Sequence, residues 1–156
     1  MKRFQLPRPV VFRLMLVLTA LLSVSCTGPS FHRAWRAAKS SPQADPVCGR
    51  WQGEWRSEAN GHHGKLQCVV TPPAQPGEPH EFYYRATWQR ILSGPYRAKH
   101  QVKPAGPDKW TLSGEQTLPA WAGGRYEYRG TLTPDTFSAT YQCAIDRGTY
   151  QLRRVD

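Results

Sequence analysis

The chain has 156 residues, 39% of them hydrophobic and 12% aromatic, enough for one domain built around one core. No internal repeat of solenoid or propeller length runs through it. A formal net charge of +10 at pH 7 raises nucleic acid as a partner, but the placement of that charge argues against it.

Lys2, Arg3 and Arg8 precede the apolar run LMLVLTALLSV, Leu14 to Val24. Its eleven residues fall short of the ~20 that a helix needs to cross a bilayer. A basic start followed by a short apolar run is the pattern of an export signal, here residues 1–25. An uncleaved anchor would have to span Val10 to Val24 with Arg13 inside it. The leader holds four basic and no acidic residues, so the exported chain carries 17 basic against 11 acidic, or +6. Those residues alternate with apolar ones along the chain instead of clustering, as on a solvated outer face. An exported protein of this kind seldom meets nucleic acid, so no nucleic-acid partner is expected.

The leader ends in LLSVSC, with Cys26 directly after the small Ser25. This resembles the lipobox of bacterial lipoproteins, although Ser23 stands where the strongest form has leucine and the leucine is Leu22. The resemblance implies cleavage before Cys26, a diacylglycerol thioether on its sulfur and an acylated amino group. Several acyl chains anchor stably where one binds only marginally. The membrane partner would then be reached through lipid, and Thr27 in place of Asp leans towards the outer membrane, facing the periplasm. Ordinary secretion with Cys26 as a free thiol is the alternative.

Residues 26–47 read as a lipid-anchored tether with one short amphipathic helix, FHRAWRAAKS. Phe31, Ala34, Trp35 and Ala38 fall at i, i+3, i+4, i+7, with Arg33, Arg36 and Lys39 around the other face. Ser30 is placed to cap it. Its aromatic face could lie on a membrane or plug an end of the domain; packing on the domain is favoured. SSPQADP follows as a linker, and residues 48–156 form the compact domain.

From Cys48 the period becomes two. Trp51, Gly53 and Trp55 share a face, as do Leu66, Cys68 and Val70. Phe82, Tyr84, Ala86 and Trp88 follow, then Tyr96, Ala98, His100 and Val102. Trp110, Leu112 and Gly114 come next, then Tyr126, Tyr128, Gly130 and Leu132. Phe137, Ala139, Tyr141, Cys143 and Ile145, then Tyr150 and Leu152, complete the set. Turn residues such as NGHHG, PPAQPGEP, PAGPD, PAWAGG and DRG separate these runs. Eight half-buried strands with no helix between them predict an all-β, eight-stranded antiparallel up-and-down meander barrel, because closure removes exposed edges. A two-sheet β-sandwich is the runner-up.

Gly49-Arg50-Trp51, opening the first strand, resembles the Gly-x-Trp of calycins, the superfamily of lipocalins, fatty-acid-binding proteins and avidins. The two short strands around a Gly-containing turn look most like avidins. The resemblance implies a barrel whose end is closed by an arginine from the last strand over Trp51, a role open to Arg153 or Arg154. The ligand-reading residues of avidins do not map onto this chain.

Among the groups that could carry chemistry, Cys68 and Cys143 share the inward parity and are the favoured disulfide pair in an exported protein. Cys48 bridging one of them is the alternative, and an odd thiol remains. Adjacent His62 and His63 lie by the Asn60-Gly61 turn and point apart, so no metal or other cofactor is expected from them. Trp121 lies between strands as an exposed rim residue. His100 lies in the apolar parity, where it is either a satisfied core histidine or a ligand contact. Trp55, Tyr84, His100 and Tyr128 are therefore the candidate ligand-binding residues, for a small apolar molecule or a glycan. No catalytic residue is assigned: the sequence lacks a nucleophile elbow and a close carboxylate pair. The expected role is that of a non-catalytic envelope lipoprotein, binding or structural, with an exported hydrolase using His100 as the competing idea.

Overall fold

The computed structural model of the chain describes residues 30–40, 45–88 and 92–155. The leader and Cys26 lie outside the described residues. One helix, α1 (Phe31–Ser40), precedes eight strands: β1 (Gly49–Ser57), β2 (His63–Thr71), β3 (His80–Trp88) and β4 (Leu92–Gly106), then β5 (Lys109–Thr117), β6 (Arg125–Leu132), β7 (Thr136–Gln142) and β8 (Arg147–Val155). Each strand pairs antiparallel with the next, and β8 returns to pair with β1, so the sheet is a closed meander barrel rather than a sandwich.

The two-residue period explains the core. Trp51, Leu66, Cys68, Val70, Phe82, Tyr84, Leu112, Leu132, Phe137 and Leu152 are all buried in one interior cluster. Val69 and Tyr83 have the opposite parity and point outward, yet they are buried too, because α1 covers them. Phe31 and Ala34 of α1 pack on that patch, Trp35 stacks on Phe31 at 5.5 Å, and the Arg50 guanidinium lies 5.2 Å from the Trp35 ring. The aromatic face of the helix is thus spent on the barrel wall, not on its end. Within the compact unit that starts at Phe31, helix and barrel belong together.

Odd-numbered strands begin at one end of the barrel and even-numbered strands at the other. The end where β1 starts is closed by Trp51, whose surface is fully buried. The Arg154 guanidinium stacks 4.3 Å from the Trp51 ring. Arg154 also donates from Nη1 to the Cys48 carbonyl at 2.9 Å, and its other nitrogens donate to the carbonyls of Pro134 and Pro46. Of the two arginines expected to serve, Arg154 does so and Arg153 is exposed, because Tyr150 and Leu152 set the inward parity of β8. Directly above, Gly53 allows β1 and β8 to approach: a Cβ there would lie 2.0 Å from the Gln151 carbonyl oxygen.

Two expectations are corrected. Strand β7 ends at Gln142, earlier than the alternation implied, because the Cys143 amide donates to the Asp146 carbonyl at 2.8 Å and turns the chain. Ile145, expected to face inward, is therefore 63% exposed. The expected Cys68–Cys143 disulfide is not formed, and Cys48, Cys68 and Cys143 are all thiols. Cys68 is laddered to Trp51 and Tyr84 near the closed end, whereas Cys143 lies beyond the opposite end of β7.

Truncating Arg154 to Ala removes the stacking and strands carbonyls that it partners, and is expected to cost roughly 2–4 kcal/mol. Arg153→Ala is expected to stay within about 0.5 kcal/mol, as exposed substitutions usually do. Urea unfolding of the two variants checks the assignment, and equal losses would contradict it.

Candidate functional site

The barrel is open at the end away from Trp51 and encloses there a cavity of about 290 Å³. Its walls are rings from several strands: Trp55 of β1, Tyr96 of β4, Tyr126 and Tyr128 of β6, Tyr141 of β7 and Tyr150 of β8. Leu66, Ala86 and Leu118 fill the gaps between rings, and Gln116 and Asp146 add polar atoms. The strands carry these rings inward by parity, and the rings hold one another in place.

Trp55 is pinned by its indole N–H, which donates to the Thr87 carbonyl at 2.9 Å. The hydroxyls of Tyr96 and Tyr150 are 3.0 Å apart, and Tyr150 stacks on Tyr141 at 5.2 Å. Tyr141 donates to one oxygen of Asp146 at 3.0 Å. The other oxygen accepts from the Ser57 hydroxyl at 2.5 Å and from the Arg147 amide at 2.8 Å. Asp146 therefore ties the β7–β8 turn to the end of β1. Burial pushes the Tyr128 phenol up to about 12. It raises Tyr126, Tyr141 and Tyr150 as well, with Asp146 adding to the shift of Tyr141. All stay protonated at neutral pH, so the wall offers neutral hydroxyls and apolar faces.

Of the four expected ligand contacts, Trp55 and Tyr128 line the cavity. Tyr84 and His100 do not; each is only 1% exposed and lies beneath it. His100 packs edge-on to Phe82 at 4.6 Å and to Tyr128 at 4.9 Å, and its Nε2 meets the Tyr84 hydroxyl at 3.2 Å. Gly114 makes this possible, because a Cβ there would lie 2.2 Å from His100 Nδ1. That Nδ1 has no hydrogen-bond partner among the described residues, so the ring lacks the orienting acceptor that a general base uses. Asp146 and Gln116 were not read as site residues from the sequence, and Tyr126 and Tyr141 were read as inward rings but not among the ligand contacts. The clue was the DRG turn, which brings a carboxylate to the open end.

At that same end, His63 starts β2 exposed beside the Gly61 turn, whose φ is +74°. The His62 amide donates to Asn60 Oδ1 at 2.9 Å within that turn. Trp121 is 85% exposed on the 3-10 turn Ala120–Ala122 between β5 and β6.

Burial lowers the His100 pKa from 6.5 to about 4. Between those values the unfolded chain binds the proton that the folded ring refuses, so this group's contribution is complete above 6.5 and is lost as pH falls towards 4. The loss is expected to reach roughly 3 kcal/mol over the window. His100→Gln is expected to be less stable near neutrality but to show a flatter pH profile, read from urea midpoints across the window. A parallel profile would remove His100 as its source.

No protein-family model and no curated protein matches this chain. Among solved structures, a barrel from the de novo design of a fluorescence-activating β-barrel is similar to it, with 17% identity over 76% of this chain and 97% of that one and a TM-score of 0.43.

Proposed function

We propose that this chain is a non-catalytic envelope lipoprotein, anchored through Cys26, whose barrel binds a small, largely apolar ligand at its open end. The observation that carries the binding reading is the cavity itself: pinned aromatic rings around about 290 Å³, with a few fixed polar atoms. Sites for small molecules have this character, apolar walls with sparse polar tips, and this one is near the lower end of their usual size. Because the rings are held by stacking and hydrogen bonds before any ligand arrives, little ordering entropy opposes binding. The lining favours an apolar molecule over a glycan, since few polar atoms face inward.

The lipoprotein reading is supported by LLSVSC at the end of a short basic and apolar leader. Kinship with calycins is supported by Gly49 and Trp51 opening β1 and by Arg154 of the last strand over Trp51. A hydrolase using His100 is disfavoured by a ring buried beneath the cavity, with no carboxylate orienting it among the described residues.

Titration of the purified protein with small aromatic, aliphatic and sugar probes, followed by tryptophan fluorescence, is expected to give saturable binding for apolar probes only. Ala86→Phe, which fills the cavity, is expected to weaken that binding more than about tenfold, or about 1.4 kcal/mol, while unfolding stays cooperative. Unchanged affinity in the filled variant would place binding elsewhere. Mass spectrometry of membrane-extracted protein is expected to find a triacylated Cys26 as the first residue; an unmodified cysteine refutes the anchor.

A further inference from the structure

A second group of side chains gathers at the closed end, away from the cavity. Asp45 and Cys48 precede β1, and His80 opens β3. The antiparallel meander brings the start of β3 to the end where β1 begins, so residues 35 positions apart meet: His80 Nε2 lies 2.9 Å from Asp45 Oδ2. The Cys48 thiol is hydrogen-bonded to the same carboxyl group. One ligand atom from each of Asp45, Cys48 and His80 lies within 4.8 Å of the other two. Cys48 is 1% exposed and His80 9%, whereas Asp45 is half-buried, so the group is walled by protein and opens to solvent on one side.

We infer that Asp45, Cys48 and His80 form a binding site for a zinc-like divalent metal, with water from the open side as fourth ligand. Thiolate sulfur, imidazole nitrogen and carboxylate oxygen are the donor set that zinc takes, and three protein ligands with one open position is a common zinc arrangement. The donors are already converging: the Val47 amide holds Asp45 Oδ1 at 2.9 Å and leaves Oδ2 turned to His80, with the Cys48 sulfur within 4.8 Å. The buried Nδ1 of His80 has no partner among the described residues, so the ring can turn towards a metal without breaking a bond at that nitrogen.

Charge and protons balance. The metal displaces the thiol proton of Cys48, which leaves to solvent. The resulting thiolate and the Asp45 carboxylate cancel the dication, while neutral His80 adds none. Arg154, bonded to the Cys48 carbonyl, then faces a site of no net charge. A bound ion would link the segment before β1 to the start of β3 beneath Trp51.

Titrating the reduced protein with cobalt(II) alone tests this, because a thiolate ligand gives a near-ultraviolet charge-transfer band and tetrahedral coordination gives strong visible bands. Both are expected to saturate at a single equivalent and to be displaced by zinc. Cys48→Ser is expected to lose the charge-transfer band, and Asp45→Asn and His80→Ala to weaken binding more than about tenfold. Cys143→Ser is expected to keep the full spectrum, and zinc is expected to raise Tm only where Cys48 and His80 are intact. Absence of a thiolate band in folded wild-type protein overturns the site, as does a band that survives Cys48→Ser or disappears with Cys143 or with His62 and His63.

Discussion

When eight strands close on themselves, the first and last must share one ladder, and here that ladder runs from Arg50 opposite Val155 to Ser57 opposite Gly148. Two features make the seam hold. Gly53 and Gly148 let the two backbones approach where a Cβ would collide with a carbonyl oxygen of the other strand. At the closed end, Arg154 reaches from β8 across the face of Trp51 and donates to carbonyls of the entering segment and of the β6–β7 turn. A guanidinium suits this position because it presents a flat face to the ring and several donors in its plane at once. Lysine has the charge without that geometry.

With one end closed by Trp51, the interior is graded along its axis. Phe82, Phe137 and Leu132 pack densely near the floor, and Trp51 meets Phe137 edge-on at 6.0 Å. The next layer, Tyr84 and His100, is still closed to solvent, with one polar ring tolerated because it stays neutral and meets a phenol. Only above that layer do the side chains fail to fill the bore. The cavity therefore follows from ring placement: Tyr126, Tyr141 and Tyr150 stack along neighbouring strands, and the Tyr96 and Tyr150 hydroxyls meet across the bore from β4 to β8. Asp146 performs the same service for the β7–β8 turn by holding Ser57 and Tyr141 together.

The barrel was legible in the sequence because parity is a one-residue rule: alternate side chains point alternately in and out, and nearly every inward residue named from alternation is inward in the structure. Carried one step further, parity also separates Arg154 from Arg153, since Tyr150 and Leu152 already mark the even positions of β8. Height along the barrel axis was not legible, because it depends on strand register, tilt and where each turn begins. Cys68 and Cys143 share a parity but not a level, so no bridge joins them. Trp55 and His100 share a parity as well, yet one lines the cavity and the other is sealed beneath it. Asp146 was hidden by the same limit, as part of a turn whose position depends on where β7 stops. The outward burial of Val69 and Tyr83 needed the docked helix to explain it.

The same axial grading keeps the two candidate sites apart. Asp45, Cys48 and His80 belong to the floor, under Trp51 and Arg154, whereas the cavity residues belong to the mouth, and no side chain is shared between the two sets. Between them lies the densely packed layer of Tyr84 and His100, resting on Phe82. A metal at the floor would therefore stabilise the junction between the entering chain and the barrel without reshaping the mouth. Within that layer His100 packs on Phe82 below and Tyr128 above. Protonating it would place an unpaired charge among aromatic rings, so acid loosens the layer that separates the two ends.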